Sequence, residues 1–192
     1  GLVSGAGSEL EEITSAGGEI GTGGDGYMVV SDGGFLNFKN GARIGTAAYS
    51  DNVGRGDCLV TGAGTKMAAG RNIGNPYFFH IPATGGAGIA TGRLAIVEGA
   101  LVVHGSEGPT VKRMEVNTNG LVSMDSATLV STTNDVHLNG GGIQGNGTIT
   151  GSLVLVTSGS YLDPGDFVAT DPHGGTFGSW DAPDTFGTLN IV

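Results

Sequence analysis

Residues 26–36 read GYMVVSDGGFL, and the same pattern returns without a gap 66 residues later as GRLAIVEGALV at residues 92–102. A third copy, VLVTSGSYL, occupies residues 154–162. Each copy joins two short apolar runs through a small, glycine-containing segment, which is typical of two β-strands around a tight corner. One such unit is too small to bury its own apolar face, so several units must stack to form a core.

Two shorter elements repeat as well. The segment VSGAGS at residues 3–8 returns 57 residues later as VTGAGT at residues 60–65. An isoleucine–glycine pair ends three further segments, at residues 19–21, 43–45 and 72–74. A glycine at a fixed place in each corner indicates a backbone that needs a positive φ or lies close to a neighbouring strand.

The composition favours β-structure. Glycine accounts for 39 of the 192 residues and interrupts every helical pattern, while the 38% apolar content argues that the chain folds. The one helical signal is the capping-box pattern of residues 8–11, which predicts a single helical turn. The predicted strands include residues 27–30, 35–38, 94–97, 101–104, 111–116, 136–138, 153–156 and 189–192.

These strands predict an all-β solenoid. About eighteen short strands at three per coil give about six coils, or a height of about 29 Å at ~4.8 Å per rung. The alternative is an antiparallel meander in which Asp32 and Gly33 form a hairpin turn. Parallel strands normally need a long crossover, usually a helix, but a β-helix avoids it because each strand pairs with its equivalent one coil away.

The repeated units resemble the passenger regions of autotransporters and the related β-helical repeats of exported bacterial proteins with a PEP-CTERM-type sorting signal. In that pattern a VSGAGS element leads to an Ile-Gly pair and then to G-x-L-x-V-x-[DN]-G-G-x-L. The residues that follow it are 3–8, 18–21, 26–36, 42–45, 57–65, 71–74 and 92–102.

The C-terminal part is similar to the autotransporter-associated β-strand repeat. It contains GNGTITG at residues 145–151, SGSYLDPG at residues 158–165 and GTLNIV at residues 187–192. Two insertions depart from the family pattern. Residues 166–186 separate the Pro-Gly pair from Gly-Thr-Leu, and residues 75–91 replace a short corner with an apolar loop.

The resemblance implies a right-handed parallel β-helix exposed outside a bacterial cell, on the outer surface or in the extracellular matrix. We expect a single β-solenoid domain over residues 1–192. It divides into two passenger-type repeats in residues 1–104 and the C-terminal β-strand repeats in residues 105–192, which include the inserted loop 166–186. Fold does not settle activity, so the resemblance leaves the function open.

Charge and cysteine content exclude several chemistries. The chain has eight Lys and Arg residues and 18 Asp and Glu residues, which gives a net charge of −10. This charge would repel the phosphate backbone of a nucleic acid. No apolar run reaches the length of about 18 residues that membrane insertion requires. Residue 1 does not open a signal-peptide pattern, so we expect any signal of a secreted precursor to have been removed. The single cysteine, Cys58, predicts a small buried hydrophobe rather than a disulfide or a zinc site.

The inserted loop carries the candidate metal ligands. Calcium prefers six to eight oxygen ligands, and the loop offers Asp166, Asp171, Asp181 and Asp184. Their spacing matches no EF-hand or glycine-rich calcium repeat, so a solvated acidic loop is the simpler interpretation. Trp180 lies in the same loop and either packs it onto the solenoid or stacks on a sugar. No other cofactor is indicated.

Three consecutive aromatic residues, Tyr77, Phe78 and Phe79, are flanked by prolines, which argues against a core strand. Either this segment folds back and covers a flank of the solenoid, or it forms an exposed patch that a partner covers. Together with Trp180, these residues are the candidate binding surface.

Two short motifs have simpler explanations. The tripeptide Arg55-Gly56-Asp57 matches an integrin-binding signal, but Asp57 leads directly into an apolar strand, so we interpret the tripeptide as a corner. Asn146 begins a glycosylation sequon that a glycine-rich corner produces by chance, and no glycan is predicted.

Enzyme activity has no support in the sequence. Neither paired carboxylates nor a Ser/His/Asp pattern recurs at equivalent strand positions. We therefore expect a structural protein, a rigid spacer or a head-to-tail filament subunit. Its ends would associate with a second copy through Leu2, Val3, Leu189 and Ile191. An adhesin that binds glycans or neighbouring cells is the alternative, and a polysaccharide-active enzyme is the third.

Overall fold

The structure is a computed structural model that describes residues 1–12, 17–47, 53–70, 78–83, 88–105, 113–131, 135–165 and 188–192. The described residues form eighteen β-strands and contain no helix. None of them therefore forms a helix long and apolar enough to cross a membrane. The first nine strands are β1 Leu2–Ser4, β2 Glu9–Glu12, β3 Gly18–Thr22, β4 Asp25–Ser31, β5 Phe35–Phe38, β6 Ala42–Thr46, β7 Val53–Thr61, β8 Lys66–Ala69 and β9 Phe79–Ile81. The others are β10 Ile89–Val97, β11 Leu101–His104, β12 Met114–Asn117, β13 Gly120–Ser131, β14 Val136–Asn139, β15 Gly142–Thr150, β16 Leu153–Leu155, β17 Tyr161–Pro164 and β18 Leu189–Ile191.

Strands that lie far apart in sequence pair in parallel and form three columns. The first column is β1, β4, β7, β10, β13, β15 and β17, and the second is β2, β5, β8, β11, β13, β15 and β18. The long strands β13 and β15 belong to both, so these columns form one 12-stranded sheet. The third column is the six-stranded sheet β3, β6, β9, β12, β14 and β16. We call each strand position in a column a rung.

This pairing excludes the antiparallel meander. Val30 lies opposite Val3 and Val60 on parallel strands, and Phe35 lies opposite Glu9 and Lys66. Within the described ranges, every strand ladder is parallel, and β4 does not pair with β5. The turn at residues 32–34 is thus a corner between two columns.

Most predicted strands are confirmed, but the predicted helical turn at residues 8–11 is wrong. Residues Glu9–Glu12 form β2, which pairs in register with Phe35–Phe38 of β5. Pairing with β5 provides hydrogen-bond partners for the backbone along the whole segment. This stabilises the strand more than the local capping pattern of Ser8 and Glu11 stabilises a helical turn.

The first two repeat copies occupy equivalent places two rungs apart. Val30 pairs with Val60, and Val60 pairs with Ile96, so the 66-residue offset spans two rungs of the first column. The third copy, residues 154–162, is not equivalent. It connects β16 in the third column to β17 in the first, whereas the other copies connect the first column to the second. Any tight corner between two apolar strands carries this short pattern, so the sequence match does not identify which corner it is.

Alternate residues of each strand point inward and build one continuous core. In the second column, the inward positions are Leu10, Leu36, Met67, Val102, Leu129, Ile149 and Ile191, in register from rung to rung. The five inner members of this series are fully buried. Each rung covers the apolar side chains of its neighbours, which is how units without a core of their own become stable.

Both backbone roles expected of the corner glycines occur, one at the corners and the other inside strand β10. Asp32 and Gly33 have φ values of 54° and 82°, and Glu98 and Gly99 repeat them with 55° and 78°. Gly92 instead allows a close backbone approach, because a Cβ there would lie 2.1 Å from the carbonyl oxygen of Ile44.

Candidate functional site

The residues predicted for self-association lie on edge strands but differ in orientation. Leu2 points outward from β1 and is exposed, whereas Val3 points inward and is buried in the core. Leu189 packs partly against the core, and Ile191 is 48% exposed. The side chain of Val3 is therefore a core group on an edge strand, and the role of all four residues in self-association stays a prediction.

Other apolar side chains are exposed on these edge strands, and the sequence did not predict their exposure. Leu10 of β2 is 46% exposed, and Leu155 of β16 and the adjacent Val156 are also exposed. Leu10 sits between glutamates in the sequence ELEE, which gave no strand signal. Its pairing with Leu36 identifies it as an inward position, and no strand among the described residues covers it from the other side.

The aromatic segment is divided between surface and core. Phe79 is fully buried within β9, and it opposes Ala42 and Met114. The assignment of Phe79 to a binding surface is thus corrected. Phe78 is half-buried and lies under the Arg43 guanidinium, 4.0 Å from the ring centroid. This stacking supports the interpretation that the segment packs against the sheet.

Several predicted site residues lie outside the described residues. They are Tyr77, Trp180 and the four candidate calcium ligands Asp166, Asp171, Asp181 and Asp184. In the described part of the chain, no group of three or more His, Cys, Asp or Glu side chains has a metal-binding arrangement.

A charged row follows the outward face of the third column. Its register is Glu19, Arg43, His80, Glu115, His137 and Val154, one residue per rung. Arg43 donates to Glu19, and Glu115 lies 3.6 Å from His80 Nε2 and 2.9 Å from Arg113 Nε. Both glutamates of the row are paired with an arginine, Glu19 with Arg43 and Glu115 with Arg113. In the sequence, the row is visible only at Glu19 and Arg43, each of which directly precedes an Ile-Gly pair.

The tripeptide Arg55-Gly56-Asp57 is not a corner. All three residues lie inside β7, and Asp57 is only 1% exposed. Its carboxylate accepts a hydrogen bond from Arg55 Nε at 3.1 Å and one from Arg93 Nε at 3.0 Å. Both bonds hold Asp57 within the sheet, so this tripeptide cannot be presented as an exposed ligand.

Two buried ionisable side chains lie in the core. Burial raises the pKa of the Cys58 thiol to about 12, with a smaller contribution from Asp57, and Cys58 Sγ lies 3.9 Å from Met67 Sδ. The prediction of a small buried hydrophobe is confirmed. Burial, with a smaller contribution from nearby His80, lowers the pKa of His104 to about 4. His104 therefore stays neutral in the core at neutral pH.

A short asparagine row supports the corner that follows the third column. Asn117, which is buried, donates from Nδ2 to the Pro82 carbonyl at 2.8 Å. It accepts a bond of 3.1 Å from Asn139 Nδ2 on the next rung. In the sequence, the row is visible only as the asparagines that end MEVN and VHLN.

Comparisons of the chain with protein-family models, with curated proteins and with solved structures returned no match. The features that bear on function are therefore the three columns and their edge strands.

Proposed function

We propose that the chain is a right-handed parallel β-helix of about six coils that works as a rigid structural element, a spacer or filament subunit, outside a bacterial cell. The observation that supports this most directly is the pairing pattern. Strands of three columns succeed each other in chain order, and each pairs in parallel with its counterpart one rung away. A chain that winds through three columns in this way forms a solenoid.

Rigidity follows from the same pattern. Every inner rung is bonded to two neighbours through its backbone and shares the apolar core with both. Bending the solenoid would separate neighbouring rungs along one side, which would break their backbone hydrogen bonds and expose the apolar core there. Seven rungs with six spacings of ~4.8 Å give a ladder height of about 29 Å.

The location outside the cell rests on the resemblance to autotransporter passengers and related exported repeats. Adhesion to glycans remains the alternative function. Its aromatic candidates Tyr77 and Trp180 lie outside the described residues, so a binding experiment must decide it. Glycan-array binding by the folded chain would replace the structural proposal with the adhesive one.

Lengthening the chain by one repeat tests the solenoid directly. Residues 27–92 span the 66-residue offset between the first two repeat copies, which corresponds to two rungs. A variant with this segment duplicated should gain about 9.6 Å in length at constant cross-section. Small-angle X-ray scattering measures both quantities. Growth in the cross-section instead of the length would overturn the proposal.

A further inference from the structure

The sequence contains four Asn-Gly pairs, and all of them lie in the part of the chain that the structure describes. They begin at Asn40, Asn119, Asn139 and Asn146. Asparagine is a thermally labile residue, because the backbone nitrogen of the next residue can attack its side-chain carbonyl carbon. A following glycine has no Cβ to hinder this attack. The surroundings of each pair therefore decide whether it reacts in the folded chain.

In the pair that begins at Asn146, hydrogen bonds hold both reacting groups. Asn146 Oδ1 accepts a bond of 2.8 Å from Thr188 N, and Gly147 N donates a bond of 3.1 Å to the Thr188 carbonyl. Both bonds would have to break before Gly147 N could approach the side-chain carbonyl carbon of Asn146. The fold therefore protects this pair.

The pairs that begin at Asn139 and Asn40 are also protected. Asn139 Nδ2 donates a bond of 3.1 Å to Asn117 Oδ1, and Gly140 N donates a bond of 2.9 Å to Ser160 Oγ. These bonds restrain the attacking and the attacked group of the Asn139 pair. Asn40 is only 5% exposed, so water has little access to its side chain.

Asn119 differs from the other three asparagines in its surroundings. It lies in the turn between β12 and β13, and it is exposed. Its backbone carbonyl accepts a bond of 3.2 Å from Gly92 N. Its side chain, in contrast, forms no hydrogen bond within the described part of the chain. The side-chain amide is therefore free to rotate towards the nitrogen of Gly120.

The backbone of this corner also explains why the labile pair is present. Asn119 has a φ of 66°, in the left-handed region, where asparagine is among the best-tolerated residues after glycine. At residue 120 a Cβ would lie 1.9 Å from the carbonyl oxygen of Ile81, so only glycine fits. The corner thus requires Gly120 and favours an asparagine before it.

We propose that Asn119 is a site of spontaneous modification, at which the asparagine converts to aspartate and isoaspartate. Gly120 N forms a bond to the side-chain carbonyl carbon of Asn119, and the side-chain nitrogen leaves as ammonia, which gives a cyclic imide. Water then adds to one of the two imide carbonyls and opens the ring. Water is the only other reactant.

Both products change the corner between the third and the first column. Either one adds a carboxylate at an exposed position of a chain whose net charge is already −10. Isoaspartate also lengthens the main chain, because the backbone then runs through the former side-chain Cβ. The modification therefore alters the backbone next to the tightly packed Gly120.

Peptide mapping by mass spectrometry tests the proposal on the unmodified sequence. The folded chain is incubated at mildly alkaline pH, and the conversion of amide to carboxyl is followed at each Asn-Gly pair. Asn119 should convert several-fold faster than Asn40, Asn139 and Asn146. In concentrated urea the four rates should become similar, because the restraints of the fold are lost.

Two results would overturn the proposal. One is a rate at Asn119 in the folded chain that is no higher than the rates at the other three pairs. The other is an equally large advantage for Asn119 in urea, which would make its reactivity a property of the local sequence and not of the fold.

A pair of variants provides a second readout. Asn119→Gly keeps the corner, because glycine adopts a positive φ without strain, and it removes the reactive amide. Isoelectric focusing of the aged variant should show most of the acidic species of the parent chain to be absent. The matched control, Asn146→Gly, should accumulate the acidic species at the rate of the parent. Equal accumulation in both variants contradicts the assignment to Asn119.

Discussion

Asp57 and Arg93 face each other on adjacent rungs of the first column, joined by a hydrogen bond of 3.0 Å from Arg93 Nε to Asp57 Oδ1. The Asp57 side chain is buried, and Arg93 is largely covered, with burial lowering the pKa of its guanidinium against the opposing effect of Asp57. The pair links two rungs through the outward face of the sheet.

Asp57→Ala should lower the free energy of unfolding by about 3 kcal/mol, because it leaves the largely covered Arg93 without the Asp57 carboxylate. Arg55→Ala is the matched control. Arg55 is more exposed, so losing its bond to Asp57 should cost no more than about 1 kcal/mol. Urea unfolding of the two variants measures the difference, and equal losses would show that the rung-to-rung bond adds nothing.

Gly92→Ala should be strongly destabilising because its Cβ would meet the Ile44 carbonyl oxygen at 2.1 Å. Overpacking of this kind costs at least about 2 kcal/mol, or a melting-temperature loss of about 4–8 °C for a chain of this size. Gly24→Ala is the control, since a Cβ there would meet no atom within 4 Å. Thermal unfolding followed by circular dichroism should show little change for the control.

Asn117→Leu should cost about 2 kcal/mol, because the Pro82 carbonyl and the Asn139 amide would lose their partner inside the protein. Asn139→Leu removes only one bond of the row, at a less buried position, and should cost about half as much. Chemical denaturation of both variants provides the comparison. A smaller loss for Asn117→Leu than for Asn139→Leu would contradict the assigned role of the row.

The buried His104 should make the protein less stable in acid. Its pKa is about 4 in the folded state and near 6.5 when exposed, so the unfolded chain binds the proton more readily between these values. The stability that neutral His104 contributes is complete above pH 6.5 and is lost as the pH falls toward 4. For this one group the loss is about 3 kcal/mol. Urea unfolding at pH 7.5, 5.5 and 4.5 should show a smaller acid loss for His104→Leu than for the parent chain.

Cys58 should resist thiol reagents in the folded protein. Its thiol is buried, and its pKa of about 12 leaves almost no thiolate at pH 8. Labelling with an aromatic disulfide at pH 8 should therefore require unfolding and become fast in concentrated urea. Rapid labelling of the native protein would contradict the burial of this strand.

The sequence could predict some of the strand positions and side-chain orientations, but not others. Leu189 and Ile191 alternate with polar residues in a strand-like pattern, and both lie in the predicted strand, β18. Leu10 was missed because it is surrounded by glutamates, and its inward orientation comes only from its pairing with Leu36. The burial of Phe79 was also unpredictable, since flanking prolines argued against a strand and the partners Ala42 and Met114 are more than thirty residues away.

By itself, the sequence determined the all-β class, most strand positions and the tight glycine corners, because these depend on local backbone preferences and on alternation along a few residues. Tertiary structure alone decided which strands are neighbours. The first two repeat copies lie two rungs apart, and the third lies at a different corner. The tripeptide Arg55-Gly56-Asp57 lies within strand β7 of the sheet. The physical reason is that register is set by ladders and core contacts between residues tens of positions apart, and local patterns do not encode those pairings.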